Sequence, residues 1–319
     1  MKISVALCTY NGALFLKEQV ESILNQSHPV SEIVVCDDGS SDTTKHLLEE
    51  YSERYPSLFR LFFNEVNLKS NKNFEKAIGL TTGDYIFLSD QDDVWESDKA
   101  EKVIAFFASN PAAEGVFTNA KFIGDHSKSL ATNLDLWTNV NFFPSLENKK
   151  TDLFESLVYM GNFLTGAALC IKKEVKDFAI PFKTLPNFLH DEWLAFVLCN
   201  RKTLFLLDEH LLRYRLHSNQ QIGMGKMKES VSIIEEKKNY AKLILGLQEP
   251  KKYKQTKSCL VRTVRQYQKY EELYTIYGNA SYQEVKNKLL MRYQWLENKM
   301  RKQNPILFFL RKKKLKITQ

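Results

Sequence analysis

The 319-residue chain encodes an α/β domain, a mixed and mainly parallel sheet flanked by helices, followed by a helical C-terminal region. Three observations lead there. Short apolar runs alternate with helix-spaced apolar stripes through the first third of the chain. Polar and acidic clusters follow directly on those runs, and from about residue 226 the spacing becomes wholly helical.

Ile3 to Leu7 is the first apolar run. Leu16, Val20, Ile23 and Leu24 then recur at i, i+4, i+7 and i+8, one buried stripe of a helix. Ile33-Val34-Val35 predicts a second strand, and Asp42 can cap a helix carrying Leu47, Leu48 and Tyr51. Leu61-Phe62-Phe63 predicts a third strand, Phe74 to Ile78 a short helix, and Tyr85 to Leu88 a fourth strand. This β-α-β-α-β-α-β succession belongs to parallel strands covered on both faces. The middle, about 113 to 217, mixes short strands and turns with one helix near 190 to 200, and pattern alone does not order its strands. Beyond it, the breaker pairs Glu249-Pro250 and Gly278-Asn279 divide the helical region. Leu260, Val264, Tyr267, Tyr270 and Tyr274 mark one buried stripe, and Val285, Leu289, Tyr293, Leu296 and Met300 the next. Two domains are therefore expected, 1–220 and a basic helical region, 221–319.

Charge divides the chain at the same place. Residues 1–220 carry 22 Lys and Arg against 30 Asp and Glu, whereas residues 221–319 carry 23 against 8. An acidic body supplies carboxylates for a metal, and a basic tail seeks phosphates. With 44% hydrophobic and 26% charged residues, disordered, collagen-like and low-complexity classes are excluded. Five widely spaced cysteines without a Cys-x-x-Cys pair argue against a disulfide framework or a thiolate zinc site and for a reducing cytosol. Polar Thr9 comes too soon for a signal peptide, and no window approaches the roughly 20 apolar residues of a spanning helix.

In open α/β sheets ligands bind outside the carboxyl ends of the strands. Those ends read Cys8-Thr9-Tyr10-Asn11-Gly12, Asp37-Asp38-Gly39-Ser40-Ser41-Asp42 and Ser89-Asp90-Gln91-Asp92-Asp93. Alternation along an extended segment turns Asp90 and Asp92 toward one site. Two hard carboxylates suit Mg²⁺ or Mn²⁺, whose shells are completed by phosphate and water. A lone D-x-D is often only an acidic turn. Its place after a buried strand, with Asp37-Asp38 on another strand end, favours a metal site. Neither a G-x-x-x-x-G-K-[ST] loop nor a G-x-G-x-x-G turn occurs, which disfavours P-loop hydrolysis and dinucleotide redox chemistry. Asp38 or Asp37 can accept from a base N–H or a ribose hydroxyl, and Tyr10 can cover the base.

Ser4-Val5-Ala6-Leu7-Cys8-Thr9-Tyr10-Asn11-Gly12, then Ile33 to Asp42, then Gly83 to Trp95 resemble the three signature blocks of glycosyltransferase family 2 over about the first 220 residues. The Asp-Gln-Asp-Asp-x-Trp form, with Thr165-Gly166, His190-Asp191-x-Trp193 and Tyr214-Arg215-x-His217-x-Asn219, is most similar to its rhamnosyltransferase-like branch, which builds bacterial surface polysaccharides. The resemblance implies a GT-A fold, a nucleotide-diphosphate sugar donor, a divalent metal and inversion at the anomeric carbon. A dTDP-L-rhamnose donor would then give an α-rhamnoside, and an α-linked UDP-sugar a β-glycoside. It places Thr9, Tyr10, Asn11, Asp38 and Asn67 around the nucleotide with Asp37 a neighbour, Asp90 on the ribose side and Asp92 on the metal. His217 becomes a metal or diphosphate contact and Arg215 a diphosphate clamp. Asp191 becomes the base that takes the acceptor proton, with Glu192 the alternative and helix capping the plainer use. Trp95, Thr165 and Trp193 fall on the acceptor side, Trp193 being equally a core residue. Lys69 stands where the branch usually has glycine, so the loop leading to Asn73 is expected to bend differently. The proline usual after Trp95 is missing.

The segment Ile306-Leu307-Phe308-Phe309-Leu310 precedes Arg311-Lys312-Lys313-Lys314-Leu315-Lys316. An apolar cluster beside cations is the composition of an interfacial anchor, so a cytoplasmic enzyme peripheral on the inner leaflet and acting on a glycan or lipid-linked acceptor is expected, with a solubilising terminus docked on the helical bundle the equal alternative by composition. The helical region can equally close the site or pair two chains, and the acidic body argues against nucleic acid. A catalytically silent nucleotide-sugar or glycan-binding module is the alternative function.

Overall fold

Alternate side chains of β1 (Ile3–Thr9) are buried on both faces, as a central strand between two helical layers requires. The computed structural model describes residues 1–130, 132, 134–146, 152–217 and 231–311. Asn219 and the cationic run 312–316 lie outside them.

The first compact unit comprises Met1–Val140, Leu164–Phe182 and Leu189–Val231. After β1 come α1 (Ala13–Leu24), β2 (Glu32–Asp37), α2 (Thr44–Arg54), β3 (Phe59–Phe63), α3 (Lys69–Leu80) and β4 (Tyr85–Ser89), the alternation read from the sequence. Leu16, Val20 and Ile23 face the core from α1. Asp42 ties two helix starts together, its carboxylate accepting from the N–H of Thr44 at 3.0 Å and of Ala13 at 3.2 Å. The unit continues with β5 (Val94–Trp95), α4 (Lys99–Ser109), β6 (Gly115–Ile123) and the short α5 (Leu136–Asn139). A helix of the second unit, α6 (Leu153–Met160), intervenes before β7 (Leu169–Lys172), α7 (Val175–Ala179), α8 (His190–Arg201) and β8 (Leu204–Arg215).

The eight strands form one sheet in the order β3-β2-β1-β4-β7-β6-β8-β5. β1 pairs in parallel with β2 and β4, β2 with β3, and β6 with β8, whereas β4–β7, β6–β7 and β5–β8 are antiparallel. The sheet is thus mixed and mainly parallel, as expected. β1 and β4 lie side by side, which brings their carboxyl ends, and the motifs on them, together.

The opposite end of the sheet is locked by Glu32. Its carboxylate accepts from Ser4 Oγ at 2.5 Å, Arg60 at 2.9 Å, the Thr82 hydroxyl at 2.9 Å and the Thr82 N–H. Burial alone would raise its pKa, but these hydrogen bonds outweigh it and lower the value from 4.5 to about 2. A depressed carboxylate stabilises the fold above its unfolded pKa, and that stabilisation is lost as pH falls through the folded value. Glu32→Gln is therefore expected to cost about 1–3 kcal/mol at neutral pH. Urea unfolding at neutral pH and near pH 2 checks this: the variant and the parent should differ at the former and converge at the latter.

The second compact unit comprises Asn141–Phe163, Lys183–Phe188 and Ser232–Gln319, so two stretches from the middle of the chain join the C-terminal helices. Its helices are α6, α9 (Val231–Leu245), α10 (Tyr253–Tyr277), α11 (Ala280–Gln303) and α12 (Pro305–Arg311). Gly278, with φ +61, ends α10, and Asn279 caps α11 through the Ser281 N–H at 2.9 Å, as the breaker pair implied. Leu260 and Val264 of α10 bury against Tyr293, Leu296 and Met300 of α11, Ile244 of α9 and Met160 of α6. Tyr267 and Tyr274 are only half-buried, and Lys286 lies 4.5 Å over the Tyr274 ring.

Candidate active site

A cavity of about 510 Å³ opens at the carboxyl ends of β1, β2 and β4 in the first unit, a size in the range of small-molecule sites, roughly 300–1,000 Å³. Among the residues proposed from sequence, Thr9, Tyr10, Asn11, Asp38, Asp90, Asp92, Thr165, Asp191 and His217 line it. Cys8, Gly12 and Phe15 complete the β1 side, and Ser70, Asn73 and Phe74 of α3 the wall beyond Asp38.

Gln91 clamps the first loop. It accepts from the Tyr10 N–H at 2.7 Å and donates to the Tyr10 carbonyl at 3.0 Å. This bidentate pair fixes the Tyr10 turn to the D-x-D segment and requires glycine at position 12, where a Cβ would stand 2.1 Å from Gln91 Oε1. Asn11, at φ +49, receives the Ser41 N–H at 2.8 Å and gives its own N–H to Ser40. Asp38 holds the start of α3, accepting from Asn64 at 2.8 Å and from the N–H groups of Leu68 and Lys69 at 2.7 and 2.9 Å. Its Oδ2 retains capacity for a further donor. Lys69 adopts φ +65, the left-handed conformation glycine would take, so the loop keeps the bend that a lysine was expected to change.

On the β4 side three carboxylates crowd together. Burial, then the charges of Asp92 and Asp191, push Asp90 up to about 7, against the opposing pull of Lys99. Asp93 is fully buried, accepts the Arg215 N–H at 2.9 Å and is raised by burial and by Asp92 and Asp90. Asp92 Oδ2 stands 2.9 Å from His217 Nε2, and the His217 ring packs on Phe15. Two donors bound at a right angle to one cation at about 2.1 Å are about 3 Å apart, so a carboxylate and an imidazole at this spacing fit Mg²⁺ or Mn²⁺. Among the described residues no group of three His, Cys, Asp or Glu side chains converges as a metal cage.

The far wall is the start of α8. Asp191 lies there, its Oδ1 accepting the Glu192 N–H at 2.7 Å. Glu192 is buried and does not line the cavity, which separates the two candidates for the base. His190, the first residue of α8, also lines the cavity. Its ring stacks on Phe74 at 4.0 Å, its backbone N–H donates to Asn71 Oδ1, and burial lowers its pKa to about 3, which favours the neutral ring. Gly166 makes room for that ring, since a Cβ there would stand 2.7 Å from Nε2.

Five expected site residues do not line the cavity. Asp37 is wholly buried, accepting from Ser40 N–H and Oγ and from Thr9 Oγ1, and so shapes the turn. Asn67 donates to the Asp38 carbonyl at 3.0 Å. The Arg215 side chain is fully buried beneath the site, donating to Glu18 at 2.6 Å, the Asp92 carbonyl at 2.6 Å and the Gly124 carbonyl at 2.9 Å. It holds the D-x-D backbone rather than reaching a ligand. Trp95 packs on Phe87 and beneath the Lys99 ammonium, and Trp193 donates to the Ala179 carbonyl, so both are core residues. Sequence reading missed Gln91, His190 and Tyr214, all three of which line the cavity. Gln91 and Tyr214 lay inside quoted motifs, and His190 was left without a role beside Asp191.

A family model described as Glycosyl transferase family 2 matches residues 4–166, about half the chain, including the β1, β2 and β4 loops just described. The chain belongs to glycosyl transferase family 2. Among its relatives is the dTDP-rhamnosyl transferase RfbG of Shigella flexneri, 30% identical over 233 residues that cover 68% of this chain and 73% of RfbG. The putative teichuronic acid biosynthesis glycosyltransferase TuaG of Bacillus subtilis is 32% identical over 111 residues, 35% of this chain and 44% of TuaG. The crystal structure of S. aureus TarS 1-349 in complex with UDP-GlcNAc superposes with a TM-score of 0.54 at 16% identity, covering 93% of this chain and 81% of that one. At that identity the likeness concerns the fold, and it is the GT-A fold of a family 2 glycosyltransferase. No helix among the described residues is long and apolar enough to cross a membrane.

Proposed function

We propose that this family 2 glycosyltransferase transfers a sugar from a nucleotide-diphosphate donor to an acceptor hydroxyl with inversion, in the synthesis of a cell-surface polysaccharide. One observation carries the reading: a single cavity brings Asp92 and His217 together on one wall and Asp191 onto another, with the Thr9–Gly12 turn and Asp38 beside them. The relation to a dTDP-rhamnosyl transferase supports dTDP-L-rhamnose as donor, and the fold shared with TarS, whose structure holds UDP-GlcNAc, supports a UDP-sugar as the other candidate.

The residues divide the work. Tyr10, Asn11 and the spare acceptor capacity of Asp38 Oδ2 receive the nucleoside. Asp92 and His217 would hold Mg²⁺ or Mn²⁺, which supplies charge neutralisation for the leaving diphosphate. Asp191 accepts the proton of the acceptor hydroxyl as the new C–O bond forms at the anomeric carbon and the bond to the diphosphate oxygen breaks. One displacement inverts the centre. Arg215, through the Asp92 carbonyl, and Gln91, through Tyr10, keep both loops fixed so that little reorganisation accompanies the reaction.

A panel of nucleotide sugars, read by nucleotide release with the acceptor present and by NMR of the anomeric configuration, tests this. One donor consumed with inversion is the expected result. A retained configuration would overturn the single displacement. Donor binding without turnover would favour a silent binding module.

A further inference from the structure

Helix α11 exposes two large apolar residues away from the stripe that folding buries. Val285, Leu289, Leu296 and Met300 are buried in the core of the second unit. About 120° around the helix from that stripe, positions 284, 288, 291, 295 and 302 fall within an arc of about 60° at 100° per residue. They hold Glu284, Lys288, Met291, Trp295 and Lys302, with Met291 64% and Trp295 48% exposed. The next helix, α12, adds Ile306 and Phe309, 75% and 80% exposed and three residues apart, while Phe308 between them is buried in the core. Exposed tryptophan, methionine, isoleucine and phenylalanine on two successive helices mark an interaction surface.

The charge carried by this part of the sequence selects the occupant. Residues 221–319 carry 23 Lys and Arg against 8 Asp and Glu, and five of the cations fall within 311–316, directly after Phe309 and Leu310. A second copy of this chain would bring the same cations to a basic face. An anionic bilayer brings phosphates for the cations, an acyl boundary for Ile306 and Phe309, and the headgroup level that tryptophan prefers for Trp295. We propose that the exposed face of α11 and α12 docks on an anionic phospholipid surface. The docking uses no residue of the catalytic cavity and stands whether or not the donor assignment does. It places the protein where a lipid-linked acceptor would be met.

Sedimentation of the full chain with vesicles, without donor or metal, tests the proposal. The protein is expected to sediment with phosphatidylcholine–phosphatidylglycerol vesicles and not with phosphatidylcholine alone, and to be released by salt. Two double variants at exposed positions, Trp295→Ser with Phe309→Ser and Lys288→Glu with Lys302→Glu, should each weaken binding about tenfold or more with an unchanged circular dichroism spectrum. Equal binding to both vesicle types, or indifference to both variants, would overturn it. So would a dimer that the Trp295→Ser, Phe309→Ser variant dissociates in the absence of any vesicle binding, since the face would then belong to a second copy.

Discussion

Asp191→Asn is expected to lower the rate of sugar transfer by about 10²–10⁴-fold, the usual worth of a general base, while nucleotide binding changes little. The amide keeps the shape of the carboxylate and can still accept the Glu192 N–H, so the start of α8 has no reason to move. On the proposed mechanism, what disappears is the group that receives the acceptor proton. Burst and steady-state kinetics at saturating donor, with a binding isotherm for the nucleoside diphosphate, separate the two effects. Full activity in the variant would transfer the role of base elsewhere. Glu192, buried away from the cavity, is poorly placed to take it.

The second large effect is expected at Asp92. Asp92→Ala removes one of the two donors that stand 2.9 Å apart with His217. It also removes a negative charge that raises Asp90 and Asp93. Metal-dependent binding of a nucleoside diphosphate should fall by about 100-fold or more, several kcal/mol of charge stabilisation. Thermal stability should hold or rise, because carboxylates that repel one another lose a member. Isothermal titration with and without Mn²⁺, beside a melting curve, reads both. The contrast between the variants is the diagnostic: one loses binding, the other turnover.

Much of this arrangement was legible in the sequence because it is local. β1 to β4 announce themselves as apolar runs, and parallel pairing then forces the segments after Leu7, Val35 and Leu88 to one edge of the sheet, whatever the rest of the chain does. The second half of the sheet was not legible. β5 is two residues long, and β8 pairs with β6 through a register that shifts at Asn119, so neither presents a clean period of two. The assignments that failed share a cause. Arg215, Trp95 and Trp193 have side chains suited to a ligand, but residue type does not tell which way a side chain faces. Arg215 turned inward because Glu18, on α1, and the carbonyls of Asp92 and Gly124 meet it there. Trp95 turned inward to cover Phe87 beneath Lys99. Asp37 and Asp38 are neighbours on one strand end and point to opposite sides of the chain. Alternation lets only one of them reach the cavity, and sequence alone did not say which.

The division between units explains a further gap. The stretches Asn141–Phe163 and Lys183–Phe188 belong with the C-terminal helices, although the chain enters and leaves them from the sheet domain. Their partners, such as α10 for α6, are about a hundred residues away in sequence, and no periodicity reports such a pairing.

The account rests on Asp92 and His217 gripping one cation against the donor diphosphate. A crystal structure of the protein with Mn²⁺ and a nucleoside diphosphate tests that most directly, through the anomalous signal of the metal. The account predicts a peak about 2.1–2.3 Å from Asp92 Oδ and His217 Nε2, with phosphate oxygens completing its shell and the Asp191 carboxylate facing it across the cavity. Nucleotide bound with the metal on other residues, or Asp92 and His217 still paired to each other beside it, would contradict the account.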